Sequence, residues 1–421
     1  MGYTSLPPTL AATWFREDLV DAFGKLRVSA PSTIFDSKQL NDNQPLFWDD
    51  QEVSGGGTSS TFSGDKASST LAVTAATAGK RVRQTKMRFN YQPGKSLLIL
   101  ATGTLANQTV DLTDIITQIG YFDDKNGIFF SFEEGVLYLI LRSNATGSPV
   151  DTKVAQADWN VDTLLGNGGG RNLSGITLDY TKTQLMSWNL EWLGVGTVRC
   201  GFVIDSRFYI VHNFLNSNIA SNVYMSTPNL PVRYSIESTG TDNVATSMQH
   251  ICCSVTSEGG VQSLGTIREI DTGVTAITAA TAGTTYALIG IRLKTTHLDT
   301  TIDILKTEIL LTSAGSYHWQ LFLNPTIAAG TPSWVSSTNS ALEYFIGDGA
   351  ITLTGGTSID GGYGASTGSG GSAAGASDSV IDNAIRLGST IAGVVDIIVL
   401  AVTAGANNET FLGSLTTREL L

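Results

Sequence analysis

Within EWLGVGTVRCGFVIDSRFYIVHNF, residues 191–214, a carboxylate (Glu191), a thiol (Cys200) and an imidazole (His212) fall close together, in a chain with 3 cysteines and 4 histidines. A cysteine beside a histidine could supply a thiolate nucleophile. That chemistry needs an exposed, electropositive setting for the thiol and a third group to orient the base. The surrounding pattern points elsewhere. Inward-facing side chains are expected at Val198, Cys200, Phe202 and Ile204, then at Phe208, Ile210, His212 and Phe214, and a period of two belongs to strands. With Asp205, Ser206 and Arg207 as a three-residue hairpin loop, all of these share one face and Cys200 lies opposite His212. The pair then sits among Phe and Ile, and the segment reads as the wall of a sandwich core. Gly194-Val195-Gly196 opens no helix and lacks both GxGxxG and GK[ST], so it reads as a kink between strands rather than a phosphate cradle.

Other chemistries have thinner support. His212, His250, His297 and His318 are far apart, and no HxxxH, CxxC or EF-hand spacing occurs. Asp49-Asp50 and Asp123-Asp124 could hold Ca²⁺ on a loop, but the side-chain bonds that Asp makes to its own backbone favour turn capping. Glycoside hydrolysis needs two carboxyl groups flanking the scissile bond. Glu133-Glu134 falls in a turn and Glu191 stands alone. No catalytic residue, cofactor or metal ligand is therefore assigned. The basic run KRVRQTKMR, 80–88, alternates as a solvated strand face or a contact for an acidic neighbouring subunit would. A net charge of −12 repels nucleic acid phosphates and anionic membranes, so neither is an expected partner.

The elements that carry these residues follow from composition. In 421 residues, 42% are hydrophobic, only 15% are charged and 45 are glycine, a mixture that favours short strands with glycine-bearing turns and a surface of Ser, Thr, Asn and Gly. The fold class expected is all-β: an antiparallel jelly-roll sandwich over 25–262 and a second sandwich over 263–421, behind an arm at 1–24. SLLILATG (96–103) and GIFFSFEEGVLYLILRS (127–143, with its turn at FEEG) read as strands of the first, and Asn126-Gly127 suits positive φ. The texture breaks at SEGGVQSLG, after which TYALIGIRLK, DILKTEILLTS and YHWQLFLNP begin a new set. TAATAG occurs at 74–79 and again at 278–283, a candidate duplicated module. GGTSIDGGYGASTGSGGSAAGAS, 355–377, has no apolar period and reads as a long flexible loop and a contact surface.

The arm holds the one helix signal, TWFREDLVDAFG, capped by Thr13 and closed by Gly24. Trp14, Phe15, Leu19 and Phe23 form its apolar side, too small a stripe to stabilise an isolated helix, and are assigned to assembly. MGYTSLPPTL does not read as a signal peptide, and the longest apolar run, IAGVVDIIVLAVTAG, is interrupted by Asp396 and too short to span a bilayer. An odd cysteine count with Cys252 beside Cys253 is no disulfide framework and suits a reducing compartment.

GKLRVSAPSTIFDSKQLNDNQPLFWDDQEVSGGGTSS (24–60), RFNYQPGKS, EWLGVGTVRCGFVID and YMSTPNLPVRYSIE together resemble a signature of virion structural proteins of tailed phages, especially aquatic ones. The resemblance covers about residues 20–262 in the same order. The strand order, with a long Trp/Gly-bearing hairpin near its end, also resembles concanavalin-like jelly rolls, which include carbohydrate-binding modules. The resemblance implies a non-enzymatic virion component, a fibre or decoration on tail, baseplate or head, assembled in the host cytoplasm. Its partners would be other virion proteins and itself, as a homotrimer for which Trp14, Trp48 and Trp334 are candidate interface anchors. The alternative is a glycan-binding adhesin whose second domain or 355–377 loop touches host surface glycans, and the third reading is a polysaccharide-degrading enzyme.

Overall fold

Residues that alternate in the sequence lie in strands throughout the computed structural model, which describes residues 29–107, 112–166, 171–367, 373–374 and 386–420. The arm helix, and with it Trp14, Phe15, Leu19 and Phe23, lies outside the described residues. The chain runs first through β1 (Ser32–Lys38), β2 (Trp48–Gly55), β3 (Thr58–Ser63), β4 (Ser68–Val73) and β5 (Gly79–Thr85). Next come β6 (Leu97–Thr104), β7 (Ile115–Phe122), β8 (Gly127–Glu133), β9 (Val136–Ser143) and β10 (Val150–Ala155). β11 (Gln184–Leu190), β12 (Val198–Ile204), β13 (Arg207–Phe214), β14 (Val232–Ser238) and β15 (Thr246–Ser257) complete the first set. One sheet has the order β13-β12-β11-β6-β15-β4-β3, with β1 also on β15, and the facing sheet the order β10-β9-β8-β7-β14-β5-β2.

The remaining strands are β16 (Thr266–Asp271), β17 (Ile277–Ala279), β18 (Thr285–Leu293), β19 (Thr301–Leu311), β20 (Ala314–Leu323), β21 (Thr326–Ala329) and β22 (Val335–Ser336). β23 (Leu342–Ile346), β24 (Thr352–Thr354), β25 (Thr357–Thr367), β26 (Ala373–Ala374), β27 (Ile397–Ala404) and β28 (Glu409–Leu420) follow. They build a sheet β16-β28-β19-β26, with β17 on β28, and a sheet β21-β24-β18-β27-β20-β25, with β23 attached at β18 and β22 paired to β23. The fold is thus all-β, an antiparallel jelly-roll sandwich followed by a second sandwich. Each has its own core, around Phe130, Trp188 and Phe202 in the first and Trp319, Leu288 and Phe411 in the second. Among the described residues no helix is long and apolar enough to cross a membrane.

Turn chemistry sets the registers. Glu134 and Gly135 both take positive φ, 47° and 88°, which matches the twist of the β8–β9 hairpin they close. Asp205 and Ser206 do the same at 50° and 63°, so the β12–β13 hairpin has a two-residue turn where the sequence suggested three. The shorter turn puts Phe208 opposite Val203 instead of Ile204 and turns its ring to solvent at 55% exposure. Ile210 is correspondingly only half-buried. A bulge beyond Gly201 then restores the expected pairing of Cys200 with His212, and Val211 takes a buried place. TAATAG is a turn both times, but with positive φ at Ala76 in the first copy and at Gly283 in the second, so the two words fold differently.

Two further expectations change. Residues 357–367 are not loop but strand β25, paired along β20 from Leu323↔Thr357 to Ala314↔Thr367. Trp48 is no surface anchor: it is 2% exposed and its indole N–H donates to Ser37 Oγ at 2.9 Å. Trp334 is half-buried against Phe345, with the Arg292 guanidinium 4.0 Å from its ring centre.

Candidate functional site

β12 and β13 hold Cys200 and His212 as partners at the wall of the core. Cys200 is fully buried, and burial pushes its thiol well above the ordinary range, so no thiolate is available near neutral pH. His212 Nδ1 accepts the backbone N–H of Asn160 at 3.2 Å, its ring packs edge-on against Phe214, and burial lowers its pKa to about 4. His250, buried between the rings of Trp48 and Tyr234, is also held well below the ordinary histidine value, by burial and by the charge of Arg83. Both shifts have one sign: at mildly acid pH the unfolded chain binds more protons than the folded one. Stability is therefore complete above the ordinary histidine value of 6.5 and is lost as pH falls, for His212 through about 4. The urea midpoint is expected to drop between pH 7 and pH about 4.5, and less steeply in His212→Gln. Equal slopes for the two proteins would show that His212 is not responsible.

The basic run is consumed inside the chain. Lys80 pairs with Glu237, Arg81 with Asp50 and Arg88 with Asp123. Arg83 departs from the solvated-face reading most clearly: at 1% exposure it points between the sheets. Its Nη1 donates to Asp50 Oδ2 at 3.1 Å, its Nε to His250 Nδ1 at 3.0 Å and its Nη2 to Gln39 Oε1 at 3.2 Å. The aspartate pairs divide in use. Asp123 caps its turn as expected, its Oδ1 accepting the N–H groups of Lys125 and Asn126, whereas Asp49 and Asp50 lie in β2 and bind groups on other elements.

Arg88 and Asp123 open onto a polar cleft of about 430 Å³ between the two sandwiches. Its floor is the outer face of the sheet containing β5 and β14, with Gln84, Arg88 and Arg233, and the turn that follows β7, with Asp123 and Asp124. Its far wall is the 295–299 and 389–393 turns of the second sandwich. Hydrogen bonds tie the two sides: Thr227 Oγ1 to Asp299 Oδ2 (2.9 Å), the Ile391 N–H to Asp49 Oδ2 (2.7 Å) and the Ser389 N–H to the Lys86 carbonyl (3.0 Å). Arg233 donates to both Gln84 Oε1 and Asp124.

The cleft can hydrogen-bond a polar ligand, and the most buried of its carboxyl groups is that of Asp123. Burial alone would raise the Asp123 carboxyl, yet the adjoining Arg88 charge and the Asn126 and Lys125 N–H groups outweigh it and hold the pKa below the usual value. A glycosidase acid needs the opposite shift. Among the described residues, every carboxyl with a displaced pKa is displaced downward. Glu133 accepts Lys153 and Ser131, and Glu191 lines a separate pocket of about 400 Å³ with Glu258, whose Oε2 accepts Ser96 Oγ and Asn189 Nδ2. No three His, Cys, Asp or Glu side chains among the described residues come together as metal ligands. Sequence reasoning missed Thr227, Asp299 and Ile391, which lie in turns with no period to mark them.

No family model and no curated protein matches the chain. Solved structures do. A β-glucanase of Bacillus licheniformis is 9% identical over 53% of this chain and 97% of its own, with a TM-score of 0.34. An endo-1,3-β-glucanase of Streptomyces sioyaensis is 12% identical over 55% and 98%, also at 0.34. A carbohydrate esterase from the Shiga toxin-encoding bacteriophage phi24B is 8% identical over 54% and 99%, at 0.30. At such identities the likeness is one of fold.

Proposed function

We propose that this chain is a non-enzymatic structural protein of a tailed-phage particle, carried on its exterior as a fibre or decoration. The observation that supports this reading best is the fate of the reactive groups. Cys200 and His212 are core, and the Asp50 and Asp123 carboxylates are held by arginines that are themselves part of the fold. The resemblance over residues 20–262 supplies the particle, and the hydroxyl-rich surface suits an exterior component. Its partners are other virion proteins and further copies of itself, with a trimer as the proposed symmetry.

Gold-labelled antibody against the purified chain is expected to decorate intact particles, while the chain releases no reducing ends from polysaccharide. Unlabelled particles, or steady release of reducing ends, would overturn the proposal. Residues 1–24, which carry Trp14, Phe15, Leu19 and Phe23, are proposed as the attachment segment. Their deletion is expected to leave the urea unfolding curve unchanged and to abolish incorporation into particles, and normal incorporation would sink that role. In sedimentation at micromolar concentration, a single species near 44.5 kDa would rule out a trimer formed before assembly. The second reading, contact with host surface glycans, is favoured by one exposed aromatic ring on β25.

A further inference from the structure

β25 is the edge of its sheet, and its alternation is unusual in what it lacks. Two successive positions that face the core, Gly362 and Gly364, are glycine where an apolar side chain would be expected, because Trp319 and Tyr317 opposite them fill the space, and Ile359 supplies the strand's one apolar contact with the core. A Cβ on Gly362 would lie 2.9 Å from Trp319 Nε1, and Trp319 is 5% exposed. The outward positions carry one large side chain, Tyr363. Its ring is 82% exposed although it stacks on His318, directly opposite on β20, at 4.5 Å and 19° between planes.

That arrangement fixes the ring's orientation without covering it. One face lies on the imidazole, and the other looks past the sheet edge, where no further strand pairs with β25 among the described residues. Gly361, two positions away on the same face, has no room for a side chain: a Cβ there would lie 2.7 Å from the Trp319 carbonyl oxygen and 3.2 Å from Gln320 Cγ. Around the ring on the same face the sheet offers Gln320, whose amide donates to Ser358 Oγ at 3.1 Å, and Ser316, opposite Ala365, while the paired hydroxyls of Thr403 and Thr285 lie further in, beyond His318. β20, β25 and β27 carry no ammonium or guanidinium group, and their one carboxylate, Asp360, is on the residue paired with buried Leu321 and accepts the Gly361 N–H at 2.8 Å.

We infer that Tyr363, held by His318, is a stacking platform for a pyranose ring of an uncharged glycan. An aromatic face is electron-rich and attracts the weakly positive axial C–H bonds of a sugar, and a ring already held in place loses little freedom when it binds. The surroundings select among occupants. A protein hot spot would be ringed by other apolar groups that exclude water, whereas here the neighbours are amide and hydroxyl groups suited to sugar hydroxyls. The absence of lysine and arginine from these strands disfavours acidic polysaccharide. The inference rests on the host-contact reading above and deepens it, but does not depend on a place in the particle.

The test uses the full chain on an array of neutral oligosaccharides, gluco-, manno-, galacto- and N-acetylglucosamine oligomers, with a sialylated and a uronic-acid set beside them. Wild type is expected to bind at least one neutral class. Tyr363→Ala should weaken that binding about tenfold or more, and Tyr363→Phe, which keeps the ring, should stay within about threefold. The urea midpoint of Tyr363→Ala should match wild type, since the ring is exposed. A blank array, binding to acidic glycans alone, or unchanged binding by Tyr363→Ala overturns the inference. Particle labelling without glycan binding would leave the structural proposal standing and remove this one, and Tyr363-dependent glycan binding without particle labelling would do the reverse.

Discussion

Phe202→Ala is expected to destabilise the first sandwich by about 3–5 kcal/mol, the range for removing a buried aromatic side chain that leaves a cavity. Phe202 has no exposed surface, and its ring centre lies 4.7 Å from that of Phe130 and 6.3 Å from that of Trp159. These rings come from β8, β12 and the turn after β10, so one truncation loosens contacts between both sheets. Urea unfolding at pH 7 measures the effect. The chain has two cores, so the transition assigned to the first sandwich should move while that of the second stays. A loss under about 1 kcal/mol would mean that the neighbours collapse into the space or that the ring is not packed as described.

Asp50→Ala is expected to be comparably severe, about 3–5 kcal/mol, because it removes the counter-charge of a guanidinium that cannot reach water. Arg83 is 1% exposed, and its other partners, His250 and Gln39, are neutral. Replacing Arg83 with Met as well removes the stranded charge and fills much of its volume, so the double variant Arg83→Met, Asp50→Ala should be more stable than Asp50→Ala alone. Additive losses would show that the pair is not coupled, and a mild effect of Asp50→Ala would show that water reaches Arg83.

The network also marks how far residue patterns reach. Val198, Cys200 and Phe202 could be assigned to the core because a period of two over one strand needs only local information. KRVRQTKMR carries the same period, yet nothing local shows that Arg83 faces inward. Its partners Gln39, Asp50 and His250 lie 44, 33 and 167 residues away. Phe208 failed for a smaller reason: Asp-Ser suits a two-residue or a three-residue connection equally, and one residue of difference reverses every side chain until a bulge corrects it. β25 hid as a loop because Trp319 occupies the space its inward side chains would have filled, which leaves glycine and erases the apolar signal. The cleft residues Thr227 and Asp299 had no signal at all, since their positions depend on how two independently built sandwiches meet.

The placement of β28 has a consequence for synthesis. The strand lies between β16 and β19 and pairs with both, and its Glu419 carboxylate is buried, accepting Ser340 Oγ at 2.6 Å and the Ala341 N–H at 2.8 Å. β16 therefore leaves the ribosome about 140 residues before its partner exists, a wait of roughly 7–30 s at ordinary elongation rates. The strands of the first sandwich are all present once Ser257 has emerged. It can fold on the nascent chain while the second waits, open-edged, for its middle strand. Premature termination anywhere inside 409–420 would then release a finished first half tethered to an unclosed sheet, the form most exposed to pairing with another chain.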